Sequence, residues 1–95
     1  MILDSINKDP RNLDTLALLV DTYEKAGDFK LAIFYRSQIA KYDPWNAQNY
    51  LGLAQLYKVT NDPQNMSLMV NKILSFAASD PIAEVAKQEF GKISN

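Results

Sequence analysis

The chain contains no cysteine and no histidine. Those two absences exclude disulfides, thiol nucleophiles, imidazole general bases and most zinc or haem ligand sets, and they leave the redox compartment open. No apolar run approaches the roughly 20 residues that a bilayer-spanning helix needs. The opening "MILDSINKDP" is too short, and too soon acidic, for a signal peptide. Neither charge sign dominates: ten Lys and Arg stand against eleven Asp and Glu, for a net charge of -1. Such a balance provides no general field to draw in nucleic acid or an anionic membrane. No segment alternates with period two, so no sheet is expected. What remains is a chain of 95 residues, 47% hydrophobic and 22% charged. That is the composition of one small soluble globular domain, long enough to bury only about two-thirds of its unfolded surface.

Four prolines divide the chain, and each follows an aspartate: Asp9-Pro10, Asp43-Pro44, Asp62-Pro63 and Asp80-Pro81. Aspartate accepts from the free amides at a helix start, while proline, lacking an amide hydrogen, fits a first helical turn and resists a helix running into it. Between these marks the apolar residues recur with helical period. Leu16, Leu19, Val20 and Tyr23 fall at i, i+3, i+4 and i+7, and Tyr50, Leu53, Ala54 and Tyr57 repeat the pattern further along. Leu16 and Tyr50 are 34 apart in the numbering, as are Pro10 and Pro44. Each of those prolines is followed two places on by an asparagine, Asn12 or Asn46, suited to capping the next helix. Gly27 is placed to end a helix in the left-handed conformation, and Asp28 to cap one carrying Phe29, Ala32, Ile33, Arg36 and Ile39. The unit is a helix hairpin of about 34 residues, with helices expected at about 2–8, 13–26, 29–42, 47–60, 63–78 and 81–93.

A 34-residue helix-turn-helix of this pattern resembles the tetratricopeptide repeat family over nearly the whole chain. Between Leu13 and Asn46, Leu16 takes the family's large first-helix place, Leu19 its Leu, Tyr23 its Tyr, Ala32 the small helix-crossing place and Pro44 the closing proline. The "KAGDF" turn, Lys25 to Phe29, is close to the usual one. From Ala47 on, Tyr50, Leu53, Ala54 and Tyr57 take the same places. There are departures. Val20 replaces a small residue, Met66 faces Ala54, Arg36 and Val70 stand where an aromatic is usual, and "TNDPQN" replaces the glycine turn. Pro81 follows Pro44 at a wider interval than Pro44 follows Pro10, so the fifth helix is expected to run one turn longer through "SFAAS", and Phe90-Gly91 resembles the family's Leu-Gly. The resemblance implies an all-α fold of antiparallel helix-turn-helix repeats, stacked as a short right-handed solenoid. Its expected parts are an N-terminal partial helix at 1–9, repeats at 13–46 and 47–80, and a capping helix at 81–95. Ile2, Leu3 and Ile6 fit the end of a second helix whose first is missing, or a short cap, and an uncovered face there would favour self-association.

Catalysis requires a nucleophile with its base, paired carboxylates in a cleft, or a metal. Asp14, Asp21 and Glu24 share one helix face, but three acids on an exposed face are ordinarily solvated, and no loop has calcium-ligand spacing. The expectation is a protein without enzymatic activity and without a cofactor. Helical-hairpin arrays of similar period can read RNA, yet these acids would repel phosphate, so no nucleic acid is expected. Protein or peptide binding remains. In the family the first helices line a concave groove, which points to Asp14, Ala17, Asp21, Glu24 and Lys25, then Gln48, Leu51, Gln55, Lys58 and Val59, as partner-facing. The family's clamp on a terminal carboxylate is not matched, because Ala17 and Asp21 stand where a cation and an amide are wanted. A segment basic toward the first unit and apolar toward Leu51 and Val59 fits better.

Tyr23 and Tyr57 are expected in the core, and Met66 and Met69 as gap fillers. Trp45, the single tryptophan, lies in the inter-repeat turn outside both core stripes, where it can cover the helix ends or face the groove edge; packing is the expectation, and Trp45 joins the partner-facing candidates for the second case. More faintly, "DPWNAQNYLGLAQLYK" and "NMSLMVNKILSFAASDPIAEVAKQEF" resemble repeat tails of bacterial membrane proteins of the O-antigen ligase and polymerase kind. That resemblance implies an accessory domain outside the membrane, with the chemistry in a part not present here.

Overall fold

In a computed structural model that describes residues 12–90, the chain is entirely helical, with no strand among the described residues. The helices are α1 (Leu13–Ala26), α2 (Phe29–Tyr42), α3 (Ala47–Val59), α4 (Pro63–Phe76) and α5 (Pro81–Phe90). The chain divides at Pro44 into two compact units. The expected helix at 2–8 and the last residues of the expected 81–93 lie outside the described residues.

Each helix begins where a short polar side chain can take up a free amide. Asn12 accepts from the Thr15 N–H at 3.1 Å, and Asn46 from the Asn49 N–H at 3.0 Å. Asp28 accepts from Leu31 at 3.3 Å and Asp62 from Asn65 at 3.2 Å. Asp80 accepts from the Ile82 N–H at 2.9 Å. Caps of this kind are worth about 1 kcal/mol each. The first-helix caps Asn12, Asn46 and Asp80 are evenly spaced, and the second-helix caps Asp28 and Asp62 are separated by the same step.

The turns inside the hairpins share the same geometry. Gly27 is left-handed at φ 78°; its N–H donates to the Glu24 carbonyl at 3.2 Å, and the Asp28 N–H donates to Tyr23 at 2.9 Å. These two bonds, reaching back three and five residues, form a Schellman motif that satisfies carbonyls a helix end would leave open. Asn61, at φ 60°, repeats it: its N–H donates to Lys58 at 3.1 Å and the Asp62 N–H to Tyr57 at 2.8 Å. "TNDPQN" therefore keeps the glycine turn's geometry rather than replacing it, because asparagine is the residue after glycine that best tolerates the left-handed region.

In the first unit α1 packs on α2. Leu16, Val20 and Ile39 form the buried centre, with Tyr35 and Tyr42 against them, and Leu19 and Ala32 are buried as well. Tyr23 and Tyr57 are half-buried rather than core. Tyr23 stacks on Tyr35 with centroids 5.7 Å apart and planes 8° from parallel, and both residues remain half-buried. The Arg36 guanidinium donates to Glu24 at 3.0 Å and ties α2 to α1. That contact gives a use to an arginine standing where an aromatic was expected.

In the second unit α3 packs against both α4 and α5, and α4 against α5. Contact on more than one side buries Tyr50, Leu51, Gly52, Leu53, Ala54 and Leu56 of α3. Met66, Val70 and Ile73 of α4 and Ala83, Ala86 and Phe90 of α5 are buried too. The expected lengthening of α4 does not occur. It ends at Phe76, and Ala77 leaves the helix at φ -131°, ψ 33°, close to Asp43 at φ -139°, ψ 67° one repeat step earlier. The Asp80 N–H closes a turn onto the Ala77 carbonyl at 2.9 Å, which frees the Asp80 carboxylate to start α5. Pro81 thus holds the place of Ala47, not of Pro44, and Phe90 that of Leu56.

Candidate interaction surfaces

Asp14, Ala17, Asp21 and Lys25 lie on the exposed side of α1, at successive steps that keep them on one face. Lys25 and Asp21 form an exposed ion pair at 3.1 Å, and Glu24 is half-buried and engaged by Arg36. The acidic line read from the sequence is therefore partly neutralised within the chain. Leu18, which sequence reasoning passed over, sits among these residues and is 46% exposed. The signal was available: Leu18 is four residues from Asp14 and off the Leu16–Leu19–Val20 stripe. On α2, Phe34 is half-exposed and meets Tyr35 edge-on with centroids 5.0 Å apart.

The residues expected on the same face of α3 divide differently. Gln48, Gln55, Lys58 and Val59 are exposed or partly so, but Leu51 is buried. That face meets α5: the Gln55 amide donates to Glu89 at 3.3 Å, and the Lys58 ammonium lies 5.8 Å from the Phe90 ring centroid. Leu51 itself is 9% exposed, which leaves it almost no surface to offer a partner. Gln55 and Lys58 are left as the rim of an internal contact.

Trp45 corrects the expectation of packing. It is 72% exposed, and its contact is an edge-to-face approach to Phe76, centroids 5.3 Å apart at 74°. Phe76 meets Tyr50 in the same manner at 5.8 Å. Trp45 stands one residue before the Asn46 cap, so neither helix's stripe claims it. Beside it opens a cleft of about 730 Å³, bounded by the starts of α3 and α5 and the end of α4. Ile2, Leu3 and Ile6 lie outside the described residues.

No family model matches this chain, and no curated protein matches it. Among the described residues no group of acidic side chains gathers as a metal site, and no helix is long and apolar enough to cross a membrane.

Proposed function

We propose that this chain is a non-catalytic protein-interaction module of the tetratricopeptide kind. Its hairpins stack as a short right-handed solenoid, and a partner segment lies along the exposed face of α1. The observation that carries this reading is the return, at one constant sequence step, of the same backbone corners: caps at Asn12, Asn46 and Asp80, caps at Asp28 and Asp62, and left-handed turns at Gly27 and Asn61. A single hairpin has a face it cannot bury alone, and regular recurrence of identical corners is how stacked repeats present successive faces to one another. α5 suits the closing position. Glu84, Lys87 and Gln88, the counterparts of Tyr50, Leu53 and Ala54, are polar and exposed, as the outer face of a terminal repeat must be.

The binding face is Asp14, Ala17, Leu18 and Asp21, with one apolar anchor between acids, and it favours a segment pairing an apolar residue with basic ones. Panning a displayed peptide library on the chain should enrich such segments. Leu18→Glu combined with Asp21→Lys should abolish their capture with helicity unchanged, since both side chains are exposed. Enriched peptides held equally well by the double variant would reject the assignment of this face. Self-association through Ile2, Leu3 and Ile6 is the second mode of the same reading, and light scattering after gel filtration that shows only monomer at high concentration rejects it.

A further inference from the structure

The cleft beside Trp45 has a chemistry of its own. Two aromatic rings, Trp45 and Phe76, meet there nearly at right angles, and the Trp45 ring is exposed over most of its surface. Among the described residues on the lining, Asp80 is the sole ionisable side chain, with no lysine or arginine. One Asp80 carboxylate oxygen caps Ile82; the other is free of partners among the described residues, on a side chain that is itself exposed. The helix ends on the rim do not reverse the sign. Two starts and one end sum to roughly half a positive charge, against the full negative charge of Asp80. Pro81, moreover, has no amide hydrogen to offer an anion.

We propose that this cleft receives an arginine side chain from a partner protein. The guanidinium would lie over the exposed Trp45 ring and donate to the free oxygen of Asp80, with its aliphatic stem against Phe76. A planar cation able to stack on an aromatic face and pair with a carboxylate satisfies all three groups at once. A volume of about 730 Å³ accommodates the side chain together with its flanking backbone. The site is separate from the α1 face. It goes beyond the interaction reading above, and either can fail without the other.

The test uses the whole chain labelled with ¹⁵N, titrated with the blocked tripeptide Gly-Arg-Gly and, in parallel, with its lysine, norleucine and glutamate counterparts at matched ionic strength. The Trp45 indole N–H is the one such resonance, which makes it a direct reporter. We expect saturable shifts at Trp45 and Ile82, with arginine bound about fivefold more tightly than norleucine, the order that an exposed cation–π contact supplies. Asp80→Asn keeps an acceptor for the Ile82 N–H while removing the charge, and should lower the arginine preference about threefold, as expected for the loss of one exposed charge pair. Phe76→Leu removes the second ring and should weaken arginine binding as well, with folding checked by the dispersion of the remaining spectrum. Equal binding of arginine and norleucine, tighter binding of glutamate, or no saturable shift at Trp45 with any tripeptide would each overturn the proposal.

Discussion

Replacing Gly27 by alanine isolates the energy of one backbone corner. Gly27 sits at φ +78°, and a Cβ built there meets no atom within 4 Å. Steric collision with neighbours therefore contributes nothing, and the whole cost is that of holding an L-residue in the left-handed region, roughly 1–2 kcal/mol. Against this, alanine loses less backbone entropy than glycine on folding, which offsets roughly 0.4–1 kcal/mol. The expected net is a destabilisation of about 0.8 kcal/mol, the middle of a span from roughly 0 to 1.6 kcal/mol, seen as a lower urea midpoint at unchanged slope and a fall of a few degrees in Tm. Asn61 provides the internal control, since it occupies the same conformation at φ 60° with an asparagine side chain. Gly27→Asn should cost less than Gly27→Ala. Asn61→Gly should be close to neutral, because glycine relieves what left-handed strain asparagine still bears while raising the entropy of the unfolded chain. If Gly27→Ala proved stabilising, the left-handed turn would not be a requirement of the fold. The correspondence between the Gly27 and Asn61 corners, on which the repeat reading rests, would then lose its physical meaning.

Other perturbations probe the packing. Leu51→Glu places a charge at a buried position of α3 and should cost more than about 3 kcal/mol, read as lost helicity or insolubility, whereas Gln55→Glu, on the exposed rim but near Glu89, should cost only a few tenths in chemical unfolding. Ala54 is completely buried, so Ala54→Leu should destabilise by about 1–3 kcal/mol through overpacking, measured by thermal unfolding. Trp45 emission should resemble that of a solvated indole and be readily quenched by acrylamide; a blue-shifted, protected emission would contradict its exposure.

The helix starts were readable from the sequence because a cap is local chemistry. Asn12, Asp28, Asn46 and Asp62 each act on an amide three residues away, and nothing distant can alter that reach. The core stripes Leu16–Leu19–Val20 and Tyr50–Leu53–Ala54 followed from period alone, and all six residues are buried. What was misread depends on contacts far along the chain or on the choice between two local signals. Pro44 and Pro81 look alike as punctuation, but the aspartate before Pro81 caps a helix, whereas the one before Pro44 ends one. Weighting the proline over the constant repeat step made α4 too long. Leu51 reads as groove-facing on an isolated helix and is buried on a side that also meets α5, a fact absent from any short window of sequence around it. Asn61 keeps the left-handed corner, yet "TNDPQN" has no glycine to mark it, and an asparagine signals that conformation less plainly in sequence than glycine does.

The placement of the only tryptophan has a consequence for how the chain's motions can be followed. All the indole signal arises in the unit that begins at Trp45, and the unit that ends at Pro44 contains none. With Trp45 already solvated in the fold, its emission on denaturation reports, through intensity rather than wavelength, the loss of its Phe76 contact in the unit of α3, α4 and α5, while far-UV ellipticity weighs every helix. Superimposable curves would mean that the two units open in one cooperative event; an ellipticity loss preceding the emission change would mean that the first unit opens on its own.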